Sequence, residues 1–310
     1  MKFKQMKRML NILKAISSLN FRTLYYLILK ASLKELPKVD VIKTKKGTFC
    51  GFKNDYLFQQ AIKNGINEDH FVSVASCLLS SNNVAIDLGG NIGTHSIVMS
   101  KLVGTGTIFT FEPQSLVFSI LQNNLLLNNC NNVVTYRFAC SDSDFKTISM
   151  QPFSFSGKKI NNGALRIDTN YFSGDLALTR TLDSFNFKRL DFIKMDIQGS
   201  EVKALRGAKK TINNHRPYMF IEIEEKHLNA MNTSTKELIE VILSFNYCLY
   251  RIENNYPCDH ICVPLEKIEE FEIKIKHNLN LNLSKKISGK FVEVSFKNLK
   301  DQNYKSIKIL

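Results

Sequence analysis

A glycine loop and a spaced series of carboxylates are the parts of this 310-residue sequence that could do chemistry. Val84-Ala85-Ile86 runs into Asp87, then Leu88-Gly89-Gly90-Asn91-Ile92-Gly93 leads to Thr94-His95-Ser96. An apolar run, a glycine turn and an amphipathic stretch read as a strand, a tight loop and a helix start. Glycines let the backbone approach a ligand and adopt positive φ. The helix N-terminus that follows carries N–H groups with no partner in the helix. Such a turn suits a nucleoside-like cofactor. A dinucleotide turn needs G-x-G-x-x-G, and Asn91 and Thr94 break that pattern from Gly89, as Ile92 does from Gly90. The pattern present is D-x-G-x-N-x-G. The next apolar run, 107–111, ends at Glu112, where a carboxylate could accept hydrogen bonds from both ribose hydroxyls. A ligand without phosphates needs no pyrophosphate cradle, and S-adenosyl-L-methionine is such a ligand.

With Phe111-Glu112-Pro113 added, the sequence resembles the FkbM-type S-adenosylmethionine-dependent methyltransferases. The resemblance continues through Ala139-Cys140-Ser141-Asp142, Thr181-Leu182-Asp183-Ser184-Phe185, Asp191-Phe192-Ile193-Lys194-Met195-Asp196-Ile197-Gln198-Gly199-Ser200-Glu201, Arg206-Gly207-Ala208 and Phe220-Ile221-Glu222-Ile223. It covers residues 84–264 in the family's order. Ser200 departs from it, since many members carry His or another larger residue there. The resemblance implies O-methylation, with sugars of surface glycans and hydroxyls of secondary metabolites as the broad acceptor classes.

The elements that must position these residues follow from hydrophobic periodicity. Strands are predicted at 84–88, 107–111, 133–139, 192–195 and 218–223, with a final antiparallel pair at 247–252 and 261–263. Helices are predicted at 55–64, 68–79, 94–102, 114–128, 201–213 and 235–245. A hairpin is expected at 46–52, and inserted hairpins and loops at 145–180. Asn161-Asn162-Gly163-Ala164 in that insert reads either as a turn or as an edge of the acceptor site. Strands alternating with helices imply an α/β fold, a doubly wound, mostly parallel seven-stranded sheet of the Rossmann-like class.

In such a sheet, ligands lie outside the carboxyl ends of the strands. That rule picks out Asp87, Gly89, Glu112, Ser141, Asp142, Asp196 and Glu222 or Glu224. Gly89, Gly90, Asn91 and Gly93 form the loop around the methionine part, which Asp87 orients. Glu112 takes the ribose hydroxyls, and Ser141 with Asp142 is the pair expected near adenine. Methyl transfer from a sulfonium needs positioning above all. A hydroxyl acceptor also needs a base; Asp196 is the first candidate, with Glu222 and His95 behind it. A carboxylate shaping the strand–helix turn is the alternative role for Asp196. Glu222 reads equally as a structural partner of Lys194, and His95 as a packing residue. No metal is expected: Cys258-Asp259-His260-Ile261-Cys262 lacks the second ligand pair of a structural zinc site, and although Asp196 and Glu222 could share a divalent cation, nothing in their spacing requires it.

Composition sets the outer bounds. The net charge of +14 is uneven: residues 1–46 carry +10, residues 274–310 carry +7 and the remainder carries −3. A mildly acidic catalytic domain argues against a nucleic-acid partner, which favours a basic cleft. Three regions are expected: a basic helical extension (1–46), the methyltransferase domain (47–272) and a basic tail (273–310). The extension lacks a spanning segment and a cleavable signal. It is read as helices with a solvated basic face, or as a contact with an anionic inner-membrane surface or a partner enzyme. Seven scattered cysteines give no disulfide framework and fit a reducing, cytoplasmic setting. The acceptor is expected to be a small molecule or a glycan, with a sugar hydroxyl favoured. An NAD-dependent oxidoreductase and a non-catalytic module of the same fold are the competing readings.

Overall fold

The computed structural model describes residues 39–44, 47–64, 69–152, 165–168, 174–251, 259–279, 284–288 and 291–295. Strands β1 (Val39–Thr44) and β2 (Gly47–Phe52) form an antiparallel hairpin, followed by helices α1 (Tyr56–Asn64) and α2 (Asp69–Leu78). Alternation then begins with β3 (Val84–Leu88), α3 (Thr94–Val103), β4 (Thr107–Phe111), α4 (Ser115–Leu127) and β5 (Val133–Tyr136). A second, four-stranded sheet collects β6 (Phe138–Cys140), β7 (Thr147–Met150), β8 (Ile167–Asp168) and β9 (Leu176–Arg180), in the order β6-β9-β7-β8. The main sheet resumes with β10 (Phe192–Met195), helices α5 (Glu201–Arg206) and α6 (Lys209–His215), and β11 (Tyr218–Glu222). Helices α7 (Glu225–Ala230) and α8 (Thr235–Ser244) lead to β12 (Tyr247–Arg251) and β13 (Asp259–Pro264). Helix α9 (Ile268–Leu279) and the pair β14 (Ser284–Ser288) and β15 (Phe291–Ser295) follow.

The main sheet has seven strands in the order β12-β13-β11-β10-β3-β4-β5, parallel except for β13, which runs antiparallel to both neighbours. Helices cover both faces, so the central strands are apolar throughout rather than alternating. All four positions of β10 are buried. The two-residue period sends Ala85, Phe192 and Phe220 into one core and Ile86, Ile193 and Ile221 into the other. Each such side chain contributes about 1.5–3 kcal/mol of burial. The strands at the middle of the sheet, β3 and β10, are therefore the stiffest platform for groups at their carboxyl ends.

The structure differs from the sequence reading in five places. The strand expected at 133–139 is split: β5 stays in the main sheet beside β4, while β6 pairs with β9 in the second sheet. The helix expected at 201–213 is broken after Arg206, because Gly207 passes so close to Ser141 that a Cβ there would sit 1.9 Å from its carbonyl oxygen. Asp183 then starts α6 by accepting hydrogen bonds from the amides of Lys210 (3.0 Å) and Thr211 (2.8 Å). Helix α7, absent from the sequence reading, sits between β11 and α8. The charge-based boundary at 46 falls in the β1–β2 turn, so residues 39–44 form a strand rather than a helical extension. The boundary at 272 falls inside α9, whose Phe271 and Ile275 are core residues.

The remaining extension, residues 1–38, lies outside the described residues, as do Cys258 and the Asn161–Ala164 motif. The six described cysteines are buried free thiols. Among the described residues, no helix is long and apolar enough to cross a membrane.

Candidate functional site

A cleft of about 600 Å³ opens at the carboxyl ends of β3, β4 and β10, walled on its far side by the second sheet. Gly89, Asn91, Glu112, Asp196, Gln198 and Arg166 bring the polar groups to its lining, with Phe111, Phe138 and Met150 among the apolar ones.

One wall is made of backbone. Gly89 has φ 79° and Asn91 φ 48°, both left-handed, which glycine adopts freely and asparagine tolerates. The amides of Gly89 and Gly90 both donate to Phe111 O at 3.0 Å, the Gly93 amide donates to Gly90 O at 2.8 Å, and the Asn91 amide donates to Glu112 Oε2 at 3.0 Å. These donors are spent inside the protein. Glu112 is 4% exposed and also accepts from the Gln114 amide at 3.0 Å through Oε1. Both carboxylate oxygens are fixed with lone pairs left over. Burial pushes the Glu112 carboxyl up to about 7, against the lowering effect of those two amides and of Lys194.

Beneath this wall lies a dry ion pair. The β3–β10 register sets Lys194 beside Asp87, with Nζ 3.3 Å from Oδ1; both side chains are almost fully buried. Lys194 Nζ also donates to Gly89 O at 3.0 Å and lies 4.0 Å from Asp196 Oδ2. Ser96 Oγ donates to the other Asp87 oxygen at 2.6 Å. Asp87 thus orients the loop from below and does not itself line the cleft. Gly90 and Gly93 also sit behind the lining, where close packing against Thr110 and Leu121 leaves no room for a Cβ.

The opposite wall is made of side chains. Asp196 follows β10 with its side chain 32% exposed. Gln198, held at φ 56°, donates from Nε2 to Asp196 Oδ1 (2.7 Å) and to Glu222 Oε2 (3.2 Å). Glu201 closes the turn from inside. Its Oε1 accepts from the amides of Ile197 (3.1 Å) and Gly199 (3.2 Å), and burial pushes its carboxyl up to about 7. Helix α5 is capped at Ser200, so Asp196 is not its N-cap.

The predicted residues thus divide. Gly89, Asn91, Glu112 and Asp196 meet in the cleft. Glu222 stands one residue behind it, joined through Gln198. Two expectations are corrected by geometry. His95 packs edge-on against Phe71, ring centroids 4.4 Å apart, on the side of a hydrophobic core rather than the cleft. Ser141 and Asp142 lie beyond Cys140, the last lining residue of β6. Gly207 packs against the Ser141 carbonyl, and Asp142 is exposed, accepting from Ser141 Oγ and Ser143 Oγ at 3.3 Å. The lysine expected beside Glu222 is directed by the register to Asp87 instead.

Lys194, Gln198, Arg166 and His227 were missed as site residues. Lys194 reads as one polar residue in an apolar strand, which is a signal by itself. Gln198-Gly199 reads as a turn, without showing that the glutamine bridges two carboxylates. His227 lies five residues past Glu222 in E-x-E-x-x-H. Its Nδ1 is 3.4 Å from Glu224 Oε2 and 3.9 Å from Glu222 Oε2. Burial holds the His227 imidazole below its ordinary value, outweighing the Glu224 carboxylate.

A family model described as the methyltransferase FkbM domain matches residues 87–252. Among curated relatives, "Methyltransferase 1" of Beauveria bassiana is 26% identical over 39% of this chain and 57% of its own length. "2-O-methyltransferase NoeI" of Sinorhizobium fredii is 23% identical over 56% of this chain and 76% of its own. "Hexuronic acid methyltransferase AglP" of Haloferax volcanii is 27% identical over 46% and 56%. The chain thus spans little more than half the length of two of these relatives. A crystal structure of methyltransferase FkbM from Methylobacillus flagellatus matches with a TM-score of 0.41 at 19% identity, over 59% of this chain and 43% of that one.

Proposed function

This chain belongs to the FkbM methyltransferase family, and from that premise we propose that it methylates a sugar hydroxyl at the expense of S-adenosylmethionine. The observation that carries the cofactor reading is the glycine loop folded against a buried Glu112, whose carboxylate the Asn91 and Gln114 amides fix with lone pairs to spare. That arrangement suits the ribose of a nucleoside, and the loop lacks the G-x-G-x-x-G pattern of a dinucleotide turn. Gly89 and Asn91 would border the methionine part, and Glu112 would accept the ribose hydroxyls. When bound, S-adenosylmethionine supplies a methyl group already activated on a sulfonium.

The chain's own task is then positioning and proton removal. Asp196 lines the same cleft as Glu112, held by Gln198 and near the Lys194 ammonium. As the acceptor oxygen takes the methyl, its proton passes to Asp196. Glu222 supports this group through Gln198 rather than acting as the base. Arg166 places a cation in the cleft, which suits an acidic sugar. The hexuronic acid methyltransferase among the relatives supports a sugar acceptor, and the 2-O-methyltransferase supports transfer to oxygen. The basic N-terminal residues belong to the same proposal as an attachment to an anionic membrane surface, which liposome binding with and without residues 1–35 would test.

Labelled cofactor offered to fractionated glycans, lipids, proteins and nucleic acids tests the acceptor. Label is expected in glycan or glycolipid, and label in protein or nucleic acid alone would overturn the reading.

A further inference from the structure

We propose that Glu222, Glu224 and His227 bind one divalent first-row cation directly behind the acceptor wall of the cleft. The site is independent of which acceptor the cleft takes.

The chain brings these residues together by simple geometry. Glu222 ends β11 and Glu224 lies two residues on, so the strand period directs both to one side. Glu224 is the N-cap of α7, and His227 stands three residues later on its first turn. Their ligand atoms all lie within 4.8 Å of one another, and among the described residues no other trio of His, Cys, Asp and Glu converges so closely. Nδ1 of His227 is 3.4 Å from Glu224 Oε2 and 3.9 Å from Glu222 Oε2. Ligands bonded to a cation at about 2.1 Å stand about 3.0–4.2 Å apart across tetrahedral and octahedral arrangements. Both His227 separations fall in that window.

A second observation points the same way. His227 Nδ1 is buried and has no hydrogen-bond partner, while its side chain is only 14% exposed. A buried ring nitrogen aimed between two carboxylates, and bonded to neither, has a lone pair suited to a metal. The donor set selects the ion: imidazole disfavours Ca²⁺ and Mg²⁺, which prefer all-oxygen shells, and suits Mn²⁺ or Zn²⁺. Three protein ligands leave further positions for water. Fixing Glu222 in this way would fix Gln198, whose Nε2 spans Glu222 and Asp196. The cation is thus assigned a positioning role behind the wall.

The test uses the full chain stripped with a chelator. Mn²⁺ binding is followed by loss of the free-ion paramagnetic resonance signal, and Zn²⁺ binding by calorimetry. The wild type is expected to take up one equivalent, with nitrogen coupling from one imidazole on bound Mn²⁺. Removing a direct ligand should weaken binding at least about tenfold in the near-isosteric Glu224→Gln and in His227→Ala. Circular dichroism confirms that each variant is folded. No stoichiometric uptake of either ion by the wild type would overturn the site. So would uptake without nitrogen coupling, or uptake that both folded variants retain.

Discussion

The two walls of the cleft are built from different materials. The Glu112 wall is made of main chain: a left-handed glycine loop, amides engaged within the protein, and one buried carboxylate that two of those amides hold. The Asp196 wall is made of side chains relayed through Gln198 to Glu222. A backbone wall tolerates few substitutions and serves one ligand. A side-chain wall can change its acceptor by exchanging residues while the frame stays. On the proposed reading, this difference separates the donor side of the cleft from its acceptor side.

Substituting Gly89 should break the contrast most severely, because this residue joins the walls. A Cβ there would lie 1.9 Å from Asp196 O, at a φ of 79° that disfavours side chains. Gly89→Ala is expected to abolish cofactor binding in calorimetry and to lower the melting temperature; retained affinity would show that the loop can yield.

Lys194→Met comes next. It leaves Asp87 charged and buried, which typically costs about 3–5 kcal/mol. Denaturant unfolding measures this, and near-wild-type stability would mean the pair is not dry.

A milder effect follows from pH. Burial raises Glu112 to about 7, so below that value its proton must leave before the carboxylate can serve the ribose hydroxyls. Cofactor affinity is expected to fall by about tenfold per pH unit below 7 and to level off above it. Stability of the free protein should move oppositely. Glu112 and Glu201 are both raised, so the stability they contribute is full below the ordinary carboxylate value of 4.5 and is lost as pH rises to about 7. Affinity and unfolding free energy measured across that range check both signs.

The smallest effect is expected at Asp142. It is exposed and outside the cleft lining, so Asp142→Asn should change cofactor binding by no more than about 0.5 kcal/mol. A larger loss would extend the backbone wall past Cys140.

The same contrast explains what the sequence reveals. Residues 87–93 and Glu112 are legible because a left-handed turn and a buried strand end restrict residue types locally. The parallel sheet is legible because β3, β4, β10 and β11 are short apolar runs between helical periods. Gln198 and His227 are not legible as site residues, since their roles depend on which side chains meet across a turn and a helix. Ser141 and Asp142 were drawn into the site by the rule of strand ends. That rule presumes one continuous strand, and here the strand leaves the main sheet after Tyr136. His95 follows the loop in sequence, but the helical turn carries it to Phe71.

The division of labour between the walls is tested most directly by measuring cofactor affinity and single-turnover methyl transfer together in Glu112→Gln and Asp196→Asn. Asp196→Asn should keep the wild-type affinity and lose about 10²–10⁴-fold in rate, whereas Glu112→Gln should lose affinity first. Equal loss of affinity in both variants, or wild-type turnover in Asp196→Asn, would contradict the account.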